Sequence, residues 1–266
     1  MAVEQHGLDV VLVGDAEQLN RLAPSVPAIA ASQVIAMAEE PALGARSKPD
    51  ASVRVAVRLL AQGLADAVVS AGSTGATLAS ALLDLGRLPG VRRPVLAAVL
   101  PTEGLGTVLV DAGASGDVQA AALVASAQMG AAYARVRGVP RPRIGLLNVG
   151  AEPGKGNDLA RAAYELLTGL PEFVGNVEPD LVLAGRVDVV VTDGFTGNIF
   201  LKTLEAAHSK ATGGGPGGAV LLGVRGEVVV AHGAADADEL VSALRTADSL
   251  ASGGLWQLIG AALGAQ

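Results

Sequence analysis

Short apolar runs that stop at glycine, each followed by a segment of helical periodicity, constrain this chain more than any other feature. LDVVLVG (8–14), ADAVVSAG (65–72), residues 143–149 and VDVVVTDG (187–194) are too short for buried helices and apolar along their length, so each reads as a buried strand. Segments 52–62, 73–86, 116–135 and 157–168 read as helices. Val53, Val57 and Leu60 share one face of the first. A Ser/Thr cap opens the second and Gly86 stops it. Val118, Ala121, Ala122, Ala125, Met129 and Ala132 repeat at helical spacing in the third. A further short strand is expected at 172–176, a helix beginning near Asn198, two strands within 219–233, and a last helix from about Ala234. Strand, glycine turn and helix repeated in this way imply a three-layer α/β/α fold with a mostly parallel sheet.

One pair breaks the alternation. VLAAVLP (95–101) and TVLVDAG (107–113) are joined by a turn holding Gly104 and Gly106, which predicts an antiparallel β-hairpin inserted into the sheet. The whole of residues 1–266 is read as one α/β domain, with a hairpin-containing subdomain around 95–135 suited to dimer contact. A 50% hydrophobic chain with only 2% aromatic residues must build its core from Ala, Val and Leu. TGGGPGG (212–218) reads as a flexible connector.

Composition removes several chemistries. The chain has no cysteine, so a disulfide framework, a thiolate metal site and a cysteine nucleophile are excluded. His6, His208 and His232 are far apart and lie in no metal-binding spacing; no metal and no cofactor is expected. A net charge of −7 argues against nucleic acid as a partner. No run is long enough to span a bilayer without charges or glycine breaks, and Glu4 and Asp9 interrupt any leader-like opening. The expectation is a cytoplasmic protein whose only membrane contact is peripheral, at the inner face.

Four strand ends share one composition: SAGSTGA (70–76), DAGAS (111–115), NVGAEPGKGN (148–157) and TDGFTGN (192–198). Neighbouring strands would bring such turns to one sheet edge, where backbone N–H groups and helix N-termini bind anions. Lys155, between Gly154 and Gly156, adds a mobile cation suited to phosphate. Ser70, Ser73, Thr74, Asn148, Asn157, Thr196 and Asn198 offer neutral hydrogen bonds, and Asp111 and Asp193 could orient the lysine or the substrate. Taken singly, each turn reads equally as an ordinary α/β connection with a solvated lysine. The segment RVRGVPRPR carries Arg135, Arg137, Arg141 and Arg143, and has two readings: a solvated helix end, or a docking site for an acidic partner.

These motifs resemble a known family. EEPALGARSKPDASVRVAVRLL (39–60), ADAVVSAGSTGA (65–76), LPTEGLGTVLVDAGAS (100–115), PRIGLLNVGAEPGKGN (142–157), FVGNVEP (173–179), DVVVTDGFTGNIFLKT (188–203) and GAVLLGVRG (218–226) occur in the order found in the bacterial phosphate acyltransferases of phospholipid synthesis. The resemblance implies an isopropylmalate dehydrogenase/phosphotransacetylase-like fold and a homodimer. It implies transfer of a fatty acyl group from acyl-carrier protein to inorganic phosphate, the acyl phosphate then passing to a membrane glycerol-3-phosphate acyltransferase. It makes Lys155 and Asn198 the catalytic candidates, with Ser70, Ser73, Thr74, Asp111, Asn148, Asn157, Asp193 and Thr196 around the substrate. Carrier protein is acidic, so the arginines at 135–143 become its candidate dock, with Arg92 and Arg93 as a second possibility.

The chain departs from the family pattern in three places. It begins after the family's glycine-rich opening loop. Only LEAAHSKATGGGPG separates Thr203 from Gly218, where the family has a longer helical stretch. Ser73 and Ser115 stand where the family has asparagines. The rival readings are a phosphotransacetylase-like enzyme using acyl-CoA, an impaired homologue acting as a scaffold and, by fold analogy alone, a nicotinamide-dependent dehydrogenase.

Overall fold

The structure, a computed structural model, describes residues 7–212 and 218–264. Residues 213–217, the centre of the glycine-rich run, lie outside the described residues. The chain divides into two compact units, one formed by Met1–Gly86 and Val224–Ser252, the other by Arg87–Gly223 and Gly253–Gln266.

The first unit opens with β1 (Leu12–Gly14), α1 (Ala16–Leu22), β2 (Ala28–Ala30), α2 (Pro41–Ser47), α3 (Ser52–Ala61), β3 (Ala67–Ser70) and α4 (Thr74–Asp84). The chain then builds β4 (Val95–Leu100), β5 (Thr107–Val110), α5 (Ala120–Val136), β6 (Ile144–Leu147), α6 (Asp158–Leu167), β7 (Phe173–Val177), α7 (Pro179–Leu183), β8 (Val189–Val191), α8 (Gly194–Thr212) and β9 (Ala219–Leu222) in the second unit. It returns to the first for β10 (Glu227–Val230) and α9 (Ala237–Gly253), and ends with α10 (Leu255–Gly264) in the second.

In the first unit β1 pairs in parallel with β2, and β10 in parallel with β3. Helix α3 begins where Val53 and Val57 turn an apolar face inward, and Val57 is fully buried. Arg54 on the same helix makes a two-pronged ion pair with Asp84 at the end of α4, at 2.5 and 2.8 Å, and also bonds the Ala45 carbonyl in α2. A buried guanidinium needs this full set of partners.

In the second unit six strands run in the order β9-β4-β5-β8-β6-β7. Strand β4 is antiparallel to both its neighbours, whereas β5, β8, β6 and β7 are mutually parallel. The expected hairpin therefore forms, but it supplies interior strands of the sheet rather than an appended arm. Val108, Leu109 and Val110 of β5 and Val189, Val190 and Val191 of β8 are each at most 1% exposed. Successive strand residues point to opposite faces, so both faces are covered, as in a three-layer fold. Helix α5 lies on β5 and β8, with α6 and α10 packed against it, which explains why it is apolar nearly all round.

Candidate active site

The parallel neighbours β5, β8 and β6 end at Val110, Val191 and Leu147, so the turns that follow them leave the same edge of the sheet. Ligands bind at this edge in open α/β sheets.

The first turn is organised by Asp111, which is 1% exposed. One carboxylate oxygen accepts from the backbone N–H groups of Leu96 (3.1 Å), Gly113 (3.0 Å) and Ala114 (2.9 Å). The other accepts from the N–H (2.9 Å) and hydroxyl (2.6 Å) of Ser115. Asp111 was expected to orient lysine or substrate; here its charge is absorbed by the turn. Bonds to an ionised acceptor contribute about 1.5–3 kcal/mol each, so this carboxylate fixes the shape of residues 111–115.

The second turn starts α8 four residues before the expected position. Asp193 caps it, one oxygen accepting from the Thr196 N–H at 2.9 Å and the other from the Thr196 hydroxyl at 2.7 Å. Both Asp193 and Thr196 thus serve the cap. Gly194 and Gly197 are required by proximity: a Cβ on Gly197 would sit 1.9 Å from the Asp111 carbonyl oxygen, and one on Gly194 would sit 2.3 Å from that of Ser115. The first turn of α8 consequently lies backbone to backbone on residues 111–115. Asn198 follows, partly exposed, with its side chain over Gly113, whose Cβ would come 3.2 Å from the Asn198 Cγ. Its carboxamide has no hydrogen-bond partner among the described residues, which leaves two donors and an acceptor for a ligand.

The third turn, 148–157, carries Lys155 and is clasped by two buried amides. Asn148, 8% exposed, donates to the Lys155 carbonyl at 3.1 Å while its oxygen accepts from the Val149 N–H at 2.8 Å. Asn176 on β7, 6% exposed, donates to the Glu152 carbonyl at 2.8 Å, and its own oxygen is buried without a partner. Sequence reasoning missed Asn176; it stands in FVGNVEP, and nothing in a strand marks one polar residue as facing a neighbouring turn. Asn157 caps α6 by accepting from the Ala160 N–H at 2.8 Å. The Lys155 side chain is 53% exposed and its ammonium lies 3.9 Å from the exposed Glu152 carboxylate, a loose contact of small energy. The turn's backbone is therefore held while the cation stays available.

Ser70, Ser73 and Thr74 belong to the first unit. The Ser70 hydroxyl accepts from the Thr77 hydroxyl at 2.9 Å and the Gly72 N–H at 3.3 Å, Ser73 caps α4 through the Ala76 N–H at 3.3 Å, and Thr74 is exposed in its first turn. The serines at positions 73 and 115 thus have local work, a cap and a bond to Asp111, for which a hydroxyl suffices.

The arginines at 135–143 lie elsewhere. They lead into β6 and so occupy the opposite sheet edge. Arg135 pairs with Glu172 at 2.6 Å, Arg137 stacks 5.7 Å over the Tyr133 ring and bonds the Leu105 carbonyl, and Arg143 pairs with Asp188 at 3.0 Å. Arg141 is exposed and makes no such contact. The cluster expected to dock a carrier thus lies at the sheet edge opposite Lys155, and three of its four members are engaged. Among the described residues no group of three or more His, Asp or Glu could hold a metal ion.

A family described as fatty acid synthesis protein matches residues 1–213. The phosphate acyltransferase of Desulforudis audaxviator is 42% identical over 288 residues, covering 92% of this chain and 84% of its own length; that of Thermobifida fusca is 43% identical, covering 95% and 82%. The chain belongs to the phosphate acyltransferase family. Acyl transfer to phosphate is accordingly its reaction class, within fatty acid and lipid synthesis. The fold of this family member is shared with a phosphotransacetylase from Streptococcus pyogenes, at 20% identity and a TM-score of 0.72 over 94% of this chain and 88% of that one. A branched-chain phosphotransacylase from Enterococcus faecalis gives 19% identity and a TM-score of 0.65, covering 94% and 93%.

Proposed function

We propose that the protein takes a fatty acyl group from the thioester of acyl-carrier protein and gives it to inorganic phosphate, with Lys155 and Asn198 as the catalytic pair. The observation that carries this reading is an unpartnered carboxamide and an available ammonium presented by neighbouring turns at one sheet edge, beside the N-termini of α6 and α8. Phosphate is itself the nucleophile, so no activated serine or cysteine is needed. A phosphate oxygen attacks the thioester carbonyl and a C–O bond forms. The tetrahedral intermediate then collapses, the C–S bond breaks, and the departing thiolate of the carrier arm takes up a proton. Lys155 balances the phosphate charge, and Asn198 donates to the carbonyl oxygen as it becomes an oxyanion. The remaining contribution is positioning.

The product would pass to a membrane glycerol-3-phosphate acyltransferase, with this protein acting as a homodimer and meeting the membrane only at its inner face. Among the described residues no helix is long and apolar enough to cross a membrane.

The test is acyl phosphate formation from palmitoyl-carrier protein and phosphate. One oxyanion donor contributes about 2.7–4 kcal/mol, so Asn198→Ala should lower turnover on the order of a hundredfold or more. Lys155→Ala should raise the KM for phosphate as well. Near-normal turnover in Asn198→Ala removes it from the mechanism, and product from palmitoyl-CoA but not from the carrier-borne ester transfers the reading to acyl-CoA.

A further inference from the structure

We infer that Arg92 and Arg93, with Arg87 behind them, form the surface on which an acidic acyl carrier seats. This inference rests on the carrier-protein reading above and locates its dock. The deciding feature is the direction of β4. Because β4 runs antiparallel to β5, with Ala97 opposite Val110, the residues leading into β4 lie at the edge where β5, β8 and β6 end. The junction is direct: the Ala112 N–H donates to the Leu96 carbonyl at 2.7 Å, and the Leu96 N–H donates to Asp111. Arg92 and Arg93 therefore share the edge of Asn198 and Lys155, whereas the arginines at 135–143 do not.

The loop presents its charges firmly. Leu88, Val91 and Pro94 are buried, and a turn closes from the Val91 N–H to the Leu88 carbonyl at 3.1 Å. Arg87, Arg92 and Arg93 between them are exposed. Arg87 bonds the Arg92 carbonyl at 2.5 Å, and Arg93 reaches the Asp117 carbonyl at 3.5 Å, across the 111–115 turn. Among the described residues no acidic side chain is ion-paired with any of the three, although Asp117 is exposed nearby. In a chain of net charge −7, such a patch gives an acidic partner a favourable approach at this edge. Adjacent strands are spaced about 4.8 Å apart, so β4 stands roughly 10 Å from β8 and 14 Å from β6. A thioester on a flexible arm can span that interval while its carrier rests on the arginines.

The experiment compares two donors, palmitoyl-carrier protein and the uncharged palmitoyl-pantetheine, in the wild type, in Arg92→Glu/Arg93→Glu and in Arg141→Glu as a single charge-reversal control at the far edge. The double variant should raise the KM for the carrier-borne donor about tenfold and flatten its dependence on salt. Turnover of the pantetheine ester and the KM for phosphate should hold, and Arg141→Glu should resemble the wild type. An unchanged KM for the carrier-borne donor, or an equal loss with both donors, overturns the assignment while leaving the donor reading intact. A wild-type enzyme that uses the pantetheine ester but not the carrier-borne one overturns both.

Discussion

Asn176 holds the turn that carries Lys155 from a neighbouring strand. Its amide holds the Glu152 carbonyl, three residues from Lys155, at the cost of a buried oxygen with no partner. Asn176→Ala removes a good hydrogen bond and an unsatisfied acceptor together, so the two effects offset and stability should change by no more than about 1 kcal/mol. The loosened turn should instead raise the KM for phosphate several-fold with a smaller effect on turnover. Parallel thermal unfolding and phosphate titrations separate the two; a lowered melting point with an unchanged KM would make Asn176 a purely structural residue. At this scale Lys155 and Asn198 stood out as candidates in the sequence, because glycine-flanked polar groups at strand ends are visible in a linear motif. The bonding of Asp111 to its own turn was not legible, because nothing in DAGAS tells whether a carboxylate faces a ligand or curls back onto the backbone.

At the scale of elements, most of the strand and helix order was legible, since glycine stops and apolar periodicity are local signals. Helix α4 opens at its Ser73 cap and α6 at Asn157, as expected. The exceptions have physical causes. Helix α8 was expected near Asn198, yet it begins at Gly194: glycines disfavour helix in general, but here only glycine fits against the 111–115 backbone. The three-residue β2 and the seven-residue α1 and α2 are too short to show a period, and tertiary packing defines them. Gly197→Ala is the sharpest test of the element contact. The added methyl meets a backbone oxygen rather than a yielding side chain, so the loss should be about 3 kcal/mol or more, read as a melting point lower by roughly 5–10 °C. A melting point within a degree of the wild type would show that α8 can slide on the turn.

At the scale of the whole chain, the second unit has two unlike edges: the candidate reaction groups Lys155 and Asn198 stand at one, and charge pairs tie strand starts together at the other. Direction of a strand decides which residues go where, and antiparallel β4 was read as a hairpin without the consequence that it places Arg92 and Arg93 at the edge that carries Lys155 and Asn198. The tying edge should leave a mark in acid. Burial raises the pKa of Asp188, but hydrogen bonds from the Arg143 side chain and backbone more than offset it and hold the carboxyl below its usual range. Its contribution to stability is thus complete above the ordinary carboxylate pKa of about 3.9 and lost as pH falls through the lower folded value. Asp188→Asn should lower stability near neutrality and flatten its decline below about pH 4. Urea unfolding across that range measures both, and parallel curves for variant and wild type would deny the pair its role.

The glycine contact between α8 and the 111–115 turn also limits how the placement of Asn198 can be altered by selection. With glycine main chain resting on main chain, the α8 side of the seam offers no side chain whose exchange could nudge the Asn198 amide by a fraction of an ångström. Laboratory evolution would have to retune that donor from the rear, through residues such as Leu96 that support the turn, and beneficial changes should accumulate there rather than at the seam itself.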